Sequence, residues 1–386
     1  MGEFSAPRRR FLQGTGLAAA GVAATVCGIG GASAGATRNR FAERSYRRAT
    51  IIDALGTISD PESGGSLESA PSERLLRDIR DSGVTAVSMT LSVGSTGDRM
   101  SKAQYKIALF DEKVLMAPDV LMRIRKAADL RTAKETRRLG LIYNLQDTSL
   151  LENDLGRVQT LAALGVRQVQ MTYNTRNLVG DGCLERNDAG LSNLGRALVA
   201  ALQGARVVMD LSHAGARTVA EAIAEAKVPP IISHTGCRDL RDHPRNVFDR
   251  ELRALAARGG VVGIYFMPFL VERGSATPDD LFRHLAHAVD VCGEDHVGLG
   301  TDGPLSGIEI DDDYRKYLRE EFESRQKQGI AAPGEGPDAY QLIPEYNDAR
   351  RFQRLADDLV ARGWSERRVE KVLGSNFARV YGDVWG

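Results

Sequence analysis

The sequence predicts an α/β protein folded as a (β/α)8 barrel of the TIM type. Three observations predict it. Short apolar runs recur from Ile51 to Asp302, amphipathic stretches separate them, and three of the runs end in a histidine or a carboxylate. Apolar runs alternating with helical patterns are the mark of βα units around a parallel sheet. Side chains at the C-terminal ends of such strands are where a barrel gathers its chemistry.

The strands are read in order. Ile51–Leu55 is the first and Thr85–Leu91 the second, with a helical stretch opening near Ser72 between them. Leu141–Leu145 follows a long helical region rich in Lys and Arg, and Val169–Tyr173 is the fourth. The fifth run ends at His213, the sixth at His234, Val261–Tyr265 is the seventh, and the eighth ends at Asp302. Helix signals agree. Thr277 is placed to cap a helix with Pro278 at its first position, and Asp279 and Asp280 sit where the helix dipole favours negative charge. Ser365-Glu366 opens a C-terminal helix in the same way. No repeat or linker divides the chain, so residues 37–386 are expected to form one barrel domain. A charged, Gly- and Pro-containing insert near 311–347 is read as a lid or an oligomer contact.

Residues 1–36 read as a twin-arginine export signal. Arg8-Arg9-Arg10-Phe11-Leu12 precedes an Ala- and Gly-rich stretch, and Ala32-Ser33-Ala34 offers small residues for cleavage. This expectation places the mature protein in the periplasm or outside the cell, with no stable membrane span after cleavage. A route that moves folded proteins suits one that takes up metal beforehand. Lys+Arg and Asp+Glu are each 51, so the balance of charge recommends neither nucleic acid nor an anionic membrane as partner. Small-molecule chemistry is the better starting point. Cys27 lies in the signal, leaving Cys183, Cys237 and Cys292 with no C-x-x-C spacing. Cys237 follows His234 closely enough to be a ligand or simply a small buried thiol.

His213, His234 and Asp302 are the candidate centre. Imidazole and carboxylate both offer a fixed lone pair, and two imidazoles from adjacent strands can share one divalent ion such as zinc. Taken singly, each histidine could equally cap a strand through a satisfied hydrogen bond. His243, His284, His287 and His296 are read as structural or surface residues. Arg245 lies near the barrel mouth, where its planar fork suits a substrate carboxylate, or it pairs with Asp242 or Asp249.

Several of these segments together resemble the membrane (renal) dipeptidase family, peptidase family M19. They are Asp210-Leu211-Ser212-His213, Ile232-Ser233-His234, Arg245-Asn246, His296–Gly303, Gly165-Val166-Arg167 and Leu373–Val380. The resemblance runs from Ala49 to the C-terminus and implies a metal-dependent, amidohydrolase-like barrel with two zinc ions at its mouth, hydrolysing dipeptides. It implies that His213 and His234 bind the second metal, that Arg245 receives the substrate carboxylate, and that Asp302 handles the proton of the attacking water. It also makes a homodimer the default assembly.

The chain departs from that pattern at three places. Leu55 and Thr57 stand where the family's first strand supplies a His and an Asp to the first zinc. Gln146, followed by Asp147, stands where a carboxylate bridges the two metals. Tyr173 replaces a substrate-binding His. The expected centre therefore holds one divalent metal, zinc, or none, with Gln146, Asp147 or Asp302 completing the shell of His213 and His234. Asp302 and Tyr173 are the candidate catalytic residues, and Arg245 and Tyr173 the candidate substrate contacts. Three functions remain open: a mononuclear hydrolase of dipeptides or related carboxylated amides, a non-peptidase enzyme acting on a secreted peptide-derived metabolite, and a non-catalytic protein that holds a carboxylated ligand.

Overall fold

A computed structural model describes residues 40–63, 67–92 and 99–386; the expected export signal lies outside them. Ten strands are present among these: β1 (Ile52–Thr57), β2 (Ala86–Ser92), β3 (Leu121–Arg123), β4 (Leu139–Leu145), β5 (Val166–Gln170), β6 (Val208–Asp210), β7 (Ile231–Thr235), β8 (Val261–Ile264), β9 (Val297–Leu299) and β10 (Gly303–Pro304). All pairings between them are parallel, in the order β10-β1-β2-β4-β5-β6-β7-β8-β9. Because β10 continues the β9 segment after three residues, its pairing with β1 brings the order back to its start and closes the barrel. The eight runs of the sequence are its eight staves, so the (β/α)8 expectation holds. Their almost uninterrupted burial is what strands covered on both faces require.

Several boundaries differ from expectation, and β6 and β9 stop at Asp210 and Leu299, so that His213 and Asp302 each lie three residues past a strand end. The fourth stave is β5, Val166–Gln170, which leaves Tyr173 in the loop beyond it. Its sequence looks less apolar than its burial because Gln168 and Gln170 are buried polar residues of the barrel. The long helical region before β4 is two helices, Arg99–Met116 and Ala127–Thr136, divided by β3. Pro118 prevents the first helix from continuing, since proline lacks the N–H and clashes with the preceding turn. β3 pairs with the N-terminal half of β4 and β5 with its C-terminal half.

Helix starts follow the sequence signals. Ser72 Oγ accepts from Leu75 N at 3.1 Å, and the helix Glu73–Ser82 stops at Gly83, whose φ of 65° is left-handed. Thr277 and Asp280 bond reciprocally across the first turn of Pro278–Cys292. Among the described residues no helix is long and apolar enough to cross a membrane.

The floor of the barrel is closed by the last helix, Asn376–Trp385. Its Phe377, Val380, Tyr381, Val384 and Trp385 pack with Ile52, Ala86, Val208, Ile231 and Val261, residues near the N-terminal ends of the staves. Gly298 of β9 makes room for this helix: a Cβ there would stand 2.5 Å from Phe377 Cε2. Above the opposite end lies the insert, beginning with the helix Asp312–Lys327, which Asp311 caps by accepting from Tyr314 N at 2.9 Å.

Phe377 is fully buried at this seam. Phe377→Ala is expected to lower stability by about 3–5 kcal/mol, the usual loss for a deleted core aromatic. Urea unfolding followed by circular dichroism checks this, and a loss below about 1 kcal/mol would mean the helix does not hold the floor.

Candidate active site

Both histidines are set by the carboxylate of Asp210, the last residue of β6. Its Oδ1 accepts from Ser212 N (3.0 Å), Ser212 Oγ (2.9 Å) and Ser233 N (2.9 Å), and its Oδ2 accepts from Gln168 Nε2 (3.0 Å). One buried group thus ties β5, β6 and β7 together just below the two histidines. Burial pushes its pKa up, and the hydrogen bonds from Ser233 and Ser212 pull against that shift. His213 then turns into the mouth with a left-handed φ of 63°, and Asp302 does the same from the β9–β10 segment with φ 58°. Non-glycine residues hold that conformation infrequently, and here both carry candidate chemistry.

His213 Nε2 and His234 Nε2 lie 2.9 Å apart. Asn174 fixes the far side of His213. Its Nδ2 donates to Ile330 O at 2.7 Å, so its Oδ1 is the atom that meets His213 Nδ1 at 2.6 Å. His213 therefore carries its hydrogen on Nδ1 and turns the Nε2 lone pair inward. His234 Nδ1 is 2.7 Å from Ser233 Oγ. With Ser233 as donor, His234 donates from Nε2 to His213, and the chain is complete and neutral. With Ser233 as acceptor, two lone pairs face each other, and a cation between them is required. Burial lowers the pKa of both rings well below the ordinary value, and the nearby charge of Arg245 adds to this, so both are neutral.

This donor set suits one ion rather than two. Neutral imidazoles oriented from behind by Asn174 and Ser233 have the outer-shell support that metal-bound histidines show. Zinc at ~2.0–2.1 Å from each nitrogen would need them ~3.3 Å apart, so the rings would part slightly. Among the described residues no group of three or more His, Cys, Asp or Glu side chains is disposed to hold a metal. At the first-metal position that the resemblance implies, Leu55 is buried core, and Thr57 Oγ1 meets Ser59 Oγ at 3.0 Å. The Gln146 amide donates to Thr90 Oγ1 at 2.7 Å. The structure does not bring Asp147 to the histidines. Its Oδ1 accepts from Asn177 Nδ2 at 2.7 Å and its Oδ2 from Ser149 N at 3.1 Å, which shapes the loop after β4.

Tyr173 stacks on His213, with centroids 4.1 Å apart and planes 23° from parallel. Arg245 is buried above the Tyr265 ring, 5.8 Å from its centroid, and makes none of the surface pairs open to it. Asp242 pairs with Arg238, and Asp249 with Arg253 and His287. Both terminal guanidinium nitrogens of Arg245 are buried without a hydrogen-bond partner. Cys183 neighbours them, and the guanidinium charge opposes the burial that raises its pKa, but a thiol is only a weak acceptor. Gln170 Oε1 and Thr172 Oγ1, at the end of β5, are also buried and unpartnered. Burial pushes the Asp302 carboxyl up to about 6 against the pull of Arg245 and Arg325. Asp302 also lines a cleft of about 510 Å³, together with Thr57 and with Tyr314 and Tyr317 of the insert.

Of the weaker sequence candidates, His243 is more than a loop residue. It is buried, its Nδ1 accepts from Arg245 N at 3.1 Å, and its Nε2 lies 2.5 Å from Pro333 O of the insert. Cys237 points away, its thiol against His284 O at 3.4 Å. Sequence reasoning gave no role to Asn174, Cys183, Arg325 or Glu335. Nothing in a charged insert distinguishes Arg325 and Glu335 from an ordinary solvated helix and loop.

Residues 66–320 match the membrane dipeptidase family, peptidase family M19. A crystal structure of an amidohydrolase from Pseudomonas aeruginosa is 33% identical, with a TM-score of 0.75 over 89% of this chain and 98% of that one. Dipeptidase verJ of Clonostachys rogersoniana is 27% identical over 268 residues, 69% of this chain but only 61% of its own length. A metallo peptidase from Rhodobacter sphaeroides, solved with a phosphinate mimic of the dipeptide L-Ala-D-Ala, shares the fold at 19% identity and a TM-score of 0.69, covering 88% of this chain and all of that one. With its barrel and mouth residues in place, this chain belongs to the membrane dipeptidase family of metal-dependent hydrolases, peptidase family M19.

Proposed function

We propose that the chain is an exported hydrolase acting on a dipeptide or a related small carboxylated amide through a centre with a single metal position. The observation that carries this reading is the unpartnered, buried guanidinium of Arg245. A buried guanidinium whose terminal N–H groups lack acceptors is costly, and a fold retains one where a ligand supplies them. Two free terminal nitrogens in one plane match the two oxygens of a carboxylate.

In this reading Arg245 anchors the carboxylate and leaves the amide carbonyl near the histidine pair. A metal held by His213 and His234 supplies Lewis acidity and a more acidic water. Asp302, titrating near neutrality, takes the proton of the attacking water and returns it to the leaving nitrogen. Tyr173 donates to the oxygen on which negative charge develops. Residues 1–36 carry the folded chain out of the cytoplasm. A second reading, ligand binding without turnover, is favoured by the 2.9 Å contact between the histidines, which is complete as a hydrogen bond without a metal. Unchanged affinity for a dipeptide after chelation, with no cleavage, would establish it.

Metal analysis of protein purified without added metal or a histidine tag is expected to give at most one equivalent, lost in His213→Ala. Two equivalents would overturn the mononuclear centre. Arg245→Met is expected to weaken dipeptide binding about 10–100-fold in calorimetry, the worth of a charged hydrogen-bonded contact. Unchanged binding would mean that Arg245 does not meet the ligand carboxylate. The pH dependence has a definite sign. Below about 6 Asp302 is neutral and no longer repels the ligand carboxylate, which stays ionised. Affinity should therefore rise as pH falls through about 6, and Asp302→Asn should flatten the profile. Replacing Arg8 and Arg9 by Lys should hold the protein in the cytoplasm on cell fractionation; unchanged export would refute the signal.

A further inference from the structure

The insert does more than cover the mouth. Asn174 donates to Ile330 O, His243 meets Pro333 O, and Arg325 donates from Nη1 to Tyr173 Oη at 3.2 Å. Arg325 comes from the helix Asp312–Lys327 and is itself held fast. Its Nε and Nη2 grip the two oxygens of Glu335 at 2.7 and 2.9 Å, and Nη2 also reaches Ile330 O at 3.3 Å. Both members of this pair are largely buried, at 15% and 6% side-chain exposure, which separates it from the solvated ion pairs on the rest of the insert helix. A bidentate pair of this kind fixes the plane as well as the position of a guanidinium.

The consequence falls on Tyr173. Its ring is held by stacking on His213, and its oxygen accepts from a cation that has no proton acceptor of its own to offer. The phenol hydrogen must then point elsewhere, and among the described residues it makes no hydrogen bond of ordinary length, with the Asp302 carboxylate near enough to act on it only through space. A spare O–H donor and the spare N–H donors of Arg245 thus serve the same mouth. Each wants an anionic or electron-rich oxygen.

We propose that Arg325 is a positioning residue of the site: clamped by Glu335, it orients the Tyr173 hydroxyl as a hydrogen-bond donor to the tetrahedral oxygen formed when a carboxylated amide is attacked. The insert that bears Arg325 is then part of the active centre, and the Tyr173–Arg325 pair supplies charge stabilisation where one metal position is missing. No covalent step is added; the phenol keeps its proton throughout, and the guanidinium keeps its charge. The inference rests on the reading of Arg245 as a carboxylate anchor.

Two probes separate the roles. The phosphinate mimic of L-Ala-D-Ala carries a tetrahedral anionic centre as well as a carboxylate, whereas L-Ala-D-Ala itself carries a planar amide and the same carboxylate. Calorimetry on the whole mature chain is expected to show Tyr173→Phe and Arg325→Met each weakening the phosphinate about 10–100-fold. The same variants should change dipeptide affinity less than about threefold, a difference within the ordinary effect of a surface substitution. The double variant should be little worse than either single one, since both remove the same interaction. Arg325→Lys, which retains a cation near the phenol, should recover part of the loss. Tyr173→Phe keeps the stacked ring, so it remains informative if Arg325→Met loosens the insert. Equal weakening of both probes, or additive losses, would overturn the positioning role while leaving the Arg245 assignment intact. A wild-type protein that binds neither probe would overturn the Arg245 reading and this inference with it.

Discussion

Closure of the barrel through Asp53 is the constraint on which the rest of the molecule depends. The Asp53 carboxylate on β1 receives Thr301 N at 2.8 Å and Thr301 Oγ1 at 2.6 Å, and Asp302 N donates to Leu55 O at 2.9 Å. These bonds draw the end of the eighth stave against the first, hold Asp302 in its left-handed turn and aim it at the mouth. Burial lifts the pKa of Asp53 to about 7, partly offset by the Thr301 bonds and the charge of Arg351. The strand that the resemblance would make a source of metal ligands is here a structural seam.

A second consequence is the polar column inside an otherwise apolar barrel. Asn144 donates to Ser88 Oγ at 2.8 Å, and Ser88 to Gln168 Oε1 at 3.1 Å. Gln168 then donates to Asp210, below the histidines. Tyr381 of the floor helix reaches the same Gln168 oxygen at 3.2 Å. Buried polar groups of this sort are tolerable only when nearly all are satisfied, and this network is satisfied up to the mouth. Among the described residues, unpartnered buried side-chain atoms of Arg245, Gln170 and Thr172 gather at the mouth, whereas Arg123 Nε lies on β3 and Ser306 Oγ follows β10.

Much of this was legible in the sequence, for a physical reason. Staves buried on both faces must be apolar, and a polar residue closing such a run has few uses except chemistry, so His213, His234 and Asp302 stood out. β3 was not legible, because three residues pairing along half of a neighbour leave no periodic signal. The start of β5 was blurred by Gln168, which is polar for the sake of the interior column. Arg325 was hidden more completely. Its importance depends on a bidentate partner ten residues away and on a phenol 152 residues away, and no local pattern records either contact.

The departures from the two-metal pattern that the resemblance implies amount, on that reading, to one electrostatic change. Two carboxylates that serve two divalent ions would, without those ions, be buried and mutually repelling, a cost several times any gain from retaining them. Thr57 and Gln146 remove those charges together, and Leu55 removes the imidazole that would accompany them. What remains is nearly neutral: two uncharged imidazoles, the Arg325–Glu335 pair, and Arg245 opposed by an Asp302 that titrates near 6. Restoring one acidic ligand alone, as in Gln146→Glu, would add a charge with no cation to meet it. On the reading proposed above, the chemistry left to this centre is what one cation position, a carboxyl of near-neutral pKa and a clamped phenol can perform together.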